Sequence, residues 1–213
     1  VQLDGAVQVL QSPLSIINCP SRRTSGLFTA SSTANAHNAS RLTSGMVGKG
    51  DYAACVGDGG SFDHGGPPSV KIVDLGYYEW ETSRLGDMGE RGRLRGVSFQ
   101  RSEVGFQNLL DGTSKTYLCG EGYLDPNHYT TGKDKGDNET WCTGANNDNY
   151  RSVGFAPRRD RIGITDAKAF GSAHPAVWQV AWCDGHVSAE TFDIDVAIHR
   201  CNGNRDDGEC EVQ

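Results

Sequence analysis

The clearest patterning in the chain lies toward its C-terminal end. In VWQVAWCDGHVSAETF (177–192), two β-rich runs flank Asp184-Gly185. On the first run Val177, Gln179, Ala181 and Cys183 alternate with Trp178, Val180 and Trp182. On the second, His186, Ser188, Glu190 and Phe192 alternate with Val187, Ala189 and Thr191. A period of two is that of a strand presenting opposite faces. Asp-Gly suits a type I′ turn, in which both central residues take φ > 0. The segment therefore predicts a β-hairpin. A face carrying two Trp and a Val must be covered, which calls for a second sheet or a long helix.

Shorter signals precede it. Val7, Val9, Leu10, Leu14, Ile16 and Ile17 predict a short helix or strand within residues 1–18, stopped at Cys19-Pro20. The Ser/Thr/Asn/Gly-rich stretch 21–50 reads as a long surface excursion. DYAACVGDGG (51–60) predicts a short strand ending in a turn, and Lys115 to Cys119 another strand after the turn signal Asp111-Gly112. Residues 123–151 form a polar insertion without a regular pattern. No helix-length amphipathic run stands out. The prediction is an α+β fold, mostly antiparallel β, in one domain spanning 1–213, with a long helix missing from its N-terminal side.

Composition narrows the classes. Of 213 residues 36% are hydrophobic, with 28 Gly and 7 Pro, which fits a loop-rich domain. Twenty Lys+Arg against 27 Asp+Glu leave a net charge of −7, which argues against a broad nucleic-acid surface. No apolar run is long enough to span a membrane. Arg84, Arg91, Arg93, Arg95 and Arg101 make a local basic stretch that reads as a solvated loop pairing with the excess carboxylates. None of the seven Cys forms a C-x-x-C pair, which disfavours zinc ribbons and thioredoxin-type centres. Cys201 and Cys210 enclose a short polar loop and read as a disulfide staple of the tail 200–213, worth ~2–3 kcal/mol in the chain-entropy model. The pairing of Cys19, Cys55, Cys119, Cys142 and Cys183 stays open. Disulfide use favours an extracytoplasmic setting: cell surface, secreted or periplasmic.

Candidate chemistry is sparse. In the insertion, Asp134, Asp137, Asn138 and Glu139, with Asp125 as a fifth, concentrate the hard oxygen ligands that Ca²⁺ takes. Trp80, Trp141 and Tyr78 are candidates for stacking on sugar rings. An enzyme would need converging groups such as Glu79, Glu81 and Glu121, or the pair His174 and Asp184. No nucleophile motif accompanies that pair. Asp184 and Gly185 are accounted for by the turn, and His174 reads as a residue that caps or cross-bonds the hairpin.

His174, nine residues and then Asp184-Gly185 give H-x9-D-G near the C-terminus. With IINCPSRR (16–23), GDYAACVGDGG (50–60), DGTSKTYLCGEGYLDPNHY (111–129) and RCNGNRDDGE (200–209), it resembles a large bacterial family of unknown function. That family is also labelled a solute-binding protein family, and its members begin with a prepilin-type segment. Lys115 and Gly122 depart from its usual Asn and Lys, and its hydrophobic N-terminal helix is absent. The resemblance implies a pilin-like or pseudopilin-like head whose sheet supports a long helix. It also implies a role as a structural subunit of an extracellular or secretion-type filament, partnered by copies of itself or by other pilin-like subunits. Calcium-fixed loops are frequent in such pseudopilins. The alternative is a periplasmic or cell-surface module binding solute, carbohydrate or surface glycans; a hydrolase stands third.

Overall fold

The predicted hairpin forms one side of a five-stranded sheet. A computed structural model of the chain describes residues 2–31, 39–40, 45–60, 69–76 and 94–208. Its elements are α1 (Gln2–Leu10), β1 (Leu27–Thr29), β2 (Met46–Gly48), β3 (Tyr52–Cys55), α2 (Val70–Asp74), β4 (Tyr117–Glu121), β5 (Tyr150–Arg151), β6 (Arg158–Arg159), β7 (Gly171–Ser172), β8 (Val177–Trp182), β9 (Val187–Thr191) and α3 (Val196–Gly203). The main sheet runs β5-β3-β4-β8-β9, antiparallel except for the β3–β5 pair. Two small sheets, antiparallel β1–β2 and parallel β6–β7, flank it. The fold is thus α+β with mostly antiparallel strands. No described helix is long and apolar enough to cross a membrane.

The hairpin turn differs from the expected type I′. Gly185 has φ +92°, but Asp184 does not enter the left-handed region. The Gly185 N–H donates to the Trp182 carbonyl and the Trp182 N–H to that of His186. This is a three-residue loop, a type I turn closed by a left-handed glycine. Asp184 keeps ordinary backbone because its carboxylate is engaged: Oδ1 accepts the His186 N–H and lies 2.6 Å from Nδ1 of the same residue. Cys183 and Asp184 also donate their N–H groups to Thr116 and Thr113, docking the turn on the approach to β4.

The alternation along β8 is as predicted: Trp178, Val180 and Trp182 are buried, the intervening residues only partly so. What covers the Trp face is not the expected long helix or second sheet. Cys55 of β3 and Tyr117 of β4 extend the same face, and Val153, Phe170 and Phe192 pack against it. Phe170 stacks on Trp178 at 5.0 Å and Tyr117 meets both Trp178 and Trp182 edge-on. From α3, which Asp195 caps by accepting the Ala197 N–H, His199 enters the same cluster. Burying each of these large side chains contributes roughly 1.5–3 kcal/mol, so a two-turn helix and two loops suffice as cover. Gly120 in β4 gives the Trp178 ring its bed, for a Cβ there would lie 2.6 Å from Cζ3 of the indole.

The opposite face of the sheet carries a row of small residues that is only partly covered. Register places Ala54, Cys119, Ala181 and Val187 in one row across it. Tyr52 and Glu121 are paired in the next row on the same face. α1 does not lie there. Its Val7 and Leu10 pack on Ala30 and Val47, which ties it to the β1–β2 ribbon.

Residues 21–50, read as a surface excursion, and the polar insertion 123–151 supply a buried ionic layer. Arg22 bridges Asp160 (3.0 Å) and Asp51 (3.3 Å) and donates to the Gly122 carbonyl. Arg23 holds Asp137 through two bonds of 2.6 and 2.9 Å, reaches Asp51 at 2.8 Å and donates to the Tyr129 carbonyl. Lys49 Nζ donates to the Asp137 carbonyl. Charges this deeply buried persist only when paired and hydrogen-bonded. The insertion therefore needs few strands: it is held by its acids.

Candidate functional site

Three of these segments meet at one end of the half-open sheet face. Cys19 follows a 3-10 turn (Ser15–Ile17), and its N–H donates to Asp51 Oδ2 at 2.8 Å. Its carbonyl accepts from Arg22 and Arg23, so the ionic layer fixes its position. Glu121 is the last residue of β4, with Oε2 accepting the Gln179 N–H at 2.8 Å. His174 lies two residues beyond β7, its N–H donating to Ser172 Oγ. These backbone anchors bring His174 Nε2 to 3.7 Å from Cys19 Sγ and 3.4 Å from Glu121 Oε1. One donor atom from each residue lies within 4.8 Å of the other two, and no other group of three or more His, Cys, Asp or Glu does so among the described residues.

The environment is unusual for a carboxylate. Glu121 is fully buried, and its Oε1 makes no well-formed hydrogen bond, only the approaches of the His174 ring and the Cys19 thiol. Burial, reinforced by Glu121, pushes the Cys19 thiol above its ordinary range. Burial with Cys19 and Glu121 alongside pushes Tyr52 up to about 12. A thiol, an imidazole and a carboxylate also compose a nucleophile–base–orienter triad. There, however, nucleophile and acid occupy opposite ring nitrogens; here both face Nε2. The set is convergent, with no relay through the ring.

Sequence reasoning divided these residues among other roles: His174 as a partner of the hairpin, Glu121 as a spare acid, Cys19 as one of five unassigned thiols. His186, not His174, bonds Asp184. A signal was present. Cys19, Glu121 and His174 come from three of the five blocks that carry the family resemblance, one each.

The five oxygen-ligand candidates are placed differently. Asp134 accepts from the Asp125 and Gly136 N–H groups, and Asp125 from Asn127 and Gly163. Asp137 is taken up by Arg23. Glu139 accepts from Thr143 and Asn146, while the Asn138 carbonyl accepts from Ser31. The structure brings Asp125 to Asp134 but does not gather any three of the four acids within 4.8 Å.

Trp141 is half-buried, its indole N–H donating to the Ser12 carbonyl and its ring lying against Gly48. Trp80, Tyr78, Glu79, Glu81 and Cys210 lie outside the described residues. Cys201 is not among the free thiols, which are Cys19, Cys55, Cys119, Cys142 and Cys183. Arg95, from the basic stretch, pairs with Asp206 at 2.8 Å. A groove of about 440 Å³ borders the β3–β5 edge, lined by Phe99, Gln100, Asn149 and Tyr150, and Trp141 is not part of its wall.

Comparison with known proteins gives one match. No curated protein and no solved structure is detectably similar. The model of a family described as "Protein of unknown function (DUF1559)", also labelled a bacterial solute-binding family, matches residues 2–197. That span includes Cys19, Glu121 and His174 and every strand of the main sheet, so the chain belongs to this family.

Proposed function

We propose that the chain is the head of an extracytoplasmic, pilin-like structural subunit that acts by assembly into a surface or secretion-type filament. The observation that carries this reading is the half-open sheet face. Ala54, Cys119 and Ala181 are small and partly exposed, Val187 is 65% exposed, and α3 packs on the other side. A row of small side chains across an antiparallel sheet makes a shallow apolar bed, and a helix laid on such a bed buries one amphipathic stripe. The amphipathic half of a long helix, of the kind the family resemblance implies, is its proposed occupant. The Cys201–Cys210 staple belongs to the same reading, as a device suited to an oxidising compartment.

The test is site-directed labelling in the native protein. Val187→Cys, on this face, is compared with Ile162→Cys, which is equally open at 71% exposure but off the sheet. A hydrophilic maleimide applied to cells should label position 162 readily and position 187 poorly, with both reacting fully after denaturation. Equal labelling at the two positions in the native protein overturns the proposal.

A further inference from the structure

We propose that Cys19, Glu121 and His174 are the three protein ligands of a zinc-type divalent cation, with a fourth position open on the His174 side. The first support is geometric. With Zn–S of about 2.3 Å, Zn–N of about 2.05 Å and Zn–O of about 2.1 Å, a tetrahedral ion sets S···N at about 3.6 Å and N···O at about 3.4 Å. The observed separations are 3.7 Å for Sγ···Nε2 and 3.4 Å for Nε2···Oε1. All three donor atoms thus converge on one point, a ligand arrangement, and the shared nitrogen excludes the relay of a triad.

The second support is the state of Glu121. Its Oε1 is buried, makes no well-formed hydrogen bond and faces the Cys19 thiol and the His174 ring. Nε2 of a neutral imidazole carries at most one proton and a thiol S–H is only a weak donor, so the cluster by itself leaves the buried carboxylate poorly satisfied. A buried acceptor left poorly satisfied carries a desolvation cost, greater when it is charged. A cation at the centre of the triangle removes that cost and ligates all three atoms at once.

Ligand chemistry selects the ion. One thiolate, one imidazole and one carboxylate suit Zn²⁺ and its neighbours in the first transition row. Ca²⁺ wants six to eight oxygens and would find one carboxylate here. The outer contacts are those a metal site needs: Gln179 N–H fixes the second oxygen of Glu121, and Asp51 fixes the backbone of Cys19. Cys19 and Glu121 are buried, while the His174 side chain is 27% exposed, so water or an incoming donor reaches the ion beside the ring. The bound ion joins the segment after α1 to the end of β4 and to the β7–β8 connection, residues 155 positions apart in the chain.

The experiment titrates chelator-stripped full-length protein, kept reduced, with Zn²⁺ against a chromophoric chelator, and with Co²⁺ as a spectroscopic stand-in. One tight Zn²⁺ per chain is expected, together with a thiolate-to-cobalt charge-transfer band and the intense visible bands of a tetrahedral site. Glu121→Gln and Cys19→Ser should each weaken Zn²⁺ binding by at least about tenfold, and Cys19→Ser should remove the charge-transfer band. His174→Ala, at the most exposed of the three positions, supplies the same test if the buried substitutions unfold the chain. Three outcomes overturn the proposal: no Zn²⁺ bound by folded wild type, a charge-transfer band that survives in folded Cys19→Ser, or Ca²⁺ competing on equal terms.

Discussion

His199 should make the protein acid-sensitive through the core and not through its surface. The ring enters from α3 and is fully buried, edge-on to Trp178 at 5.6 Å and to Phe170 at 6.2 Å. Neither ring nitrogen has a partner of good geometry, and burial lowers its pKa from 6.5 to about 4, a contact with the Phe155 backbone opposing this only in part. Because the folded pKa is depressed, the unfolded chain takes up a proton between those values that the folded chain refuses. Stability from this group is complete above pH 6.5 and is lost as the pH falls toward 4. The drop from 6.5 to about 4 corresponds to about 3 kcal/mol, a large share of a domain's net stability.

Urea unfolding followed by the fluorescence of buried Trp178 and Trp182 measures it, at about pH 7 and about pH 4, in wild type and in His199→Leu. Leu keeps the site apolar and cannot charge. The variant is expected to lose about 3 kcal/mol less than wild type between the two conditions, whatever the other titrating groups contribute. An identical loss in both proteins would refute the reasoning and place the acid sensitivity elsewhere.

Other perturbations test the remaining contacts. Gly120→Ala drives a methyl into the Trp178 ring and should cost about 1–3 kcal/mol by denaturant titration, whereas a neutral result would mean that β4 and β8 can part easily. Arg22→Met leaves Asp51 and Asp160 buried without their shared cation and should destabilise by roughly 3–5 kcal/mol; a change below 1 kcal/mol, measured the same way, would show the ionic layer to be hydrated. Desolvation and nearby Asp137 push the partly buried Asp148 up to about 7, so the folded state holds a proton there that the unfolded chain releases. Its contribution to stability should therefore fall as the pH rises from about 4 to about 7 and level off above that, opposite in sign to that of His199, and Asp148→Asn should remove this component from pH-dependent unfolding.

What could be read in the sequence was whatever is local. The alternation along β8, the short β3 and β4 and the mostly antiparallel character follow from periods of two and from turn residues, which act over a few positions. The turn type was misread because Asp184 has a side-chain alternative, the His186 bond, that dinucleotide preference ignores. The cover of the Trp face was misread because α3 is only two turns long and contributes through one histidine, too short to give a periodic signal. Arg23 and Asp137 lie 114 positions apart, Arg22 and Asp160 138 apart; no local pattern distinguishes such buried acids from solvated ones. The same distance hid the Cys19–Glu121–His174 cluster, although each member sits in a recognisable block.

Electron microscopy of the native, untagged protein from its own cells tests the structural reading most directly. Ordered polymers whose repeat fits one 22.9 kDa head per subunit are the predicted result. Dispersed single particles from cells that contain the full-length protein would contradict it.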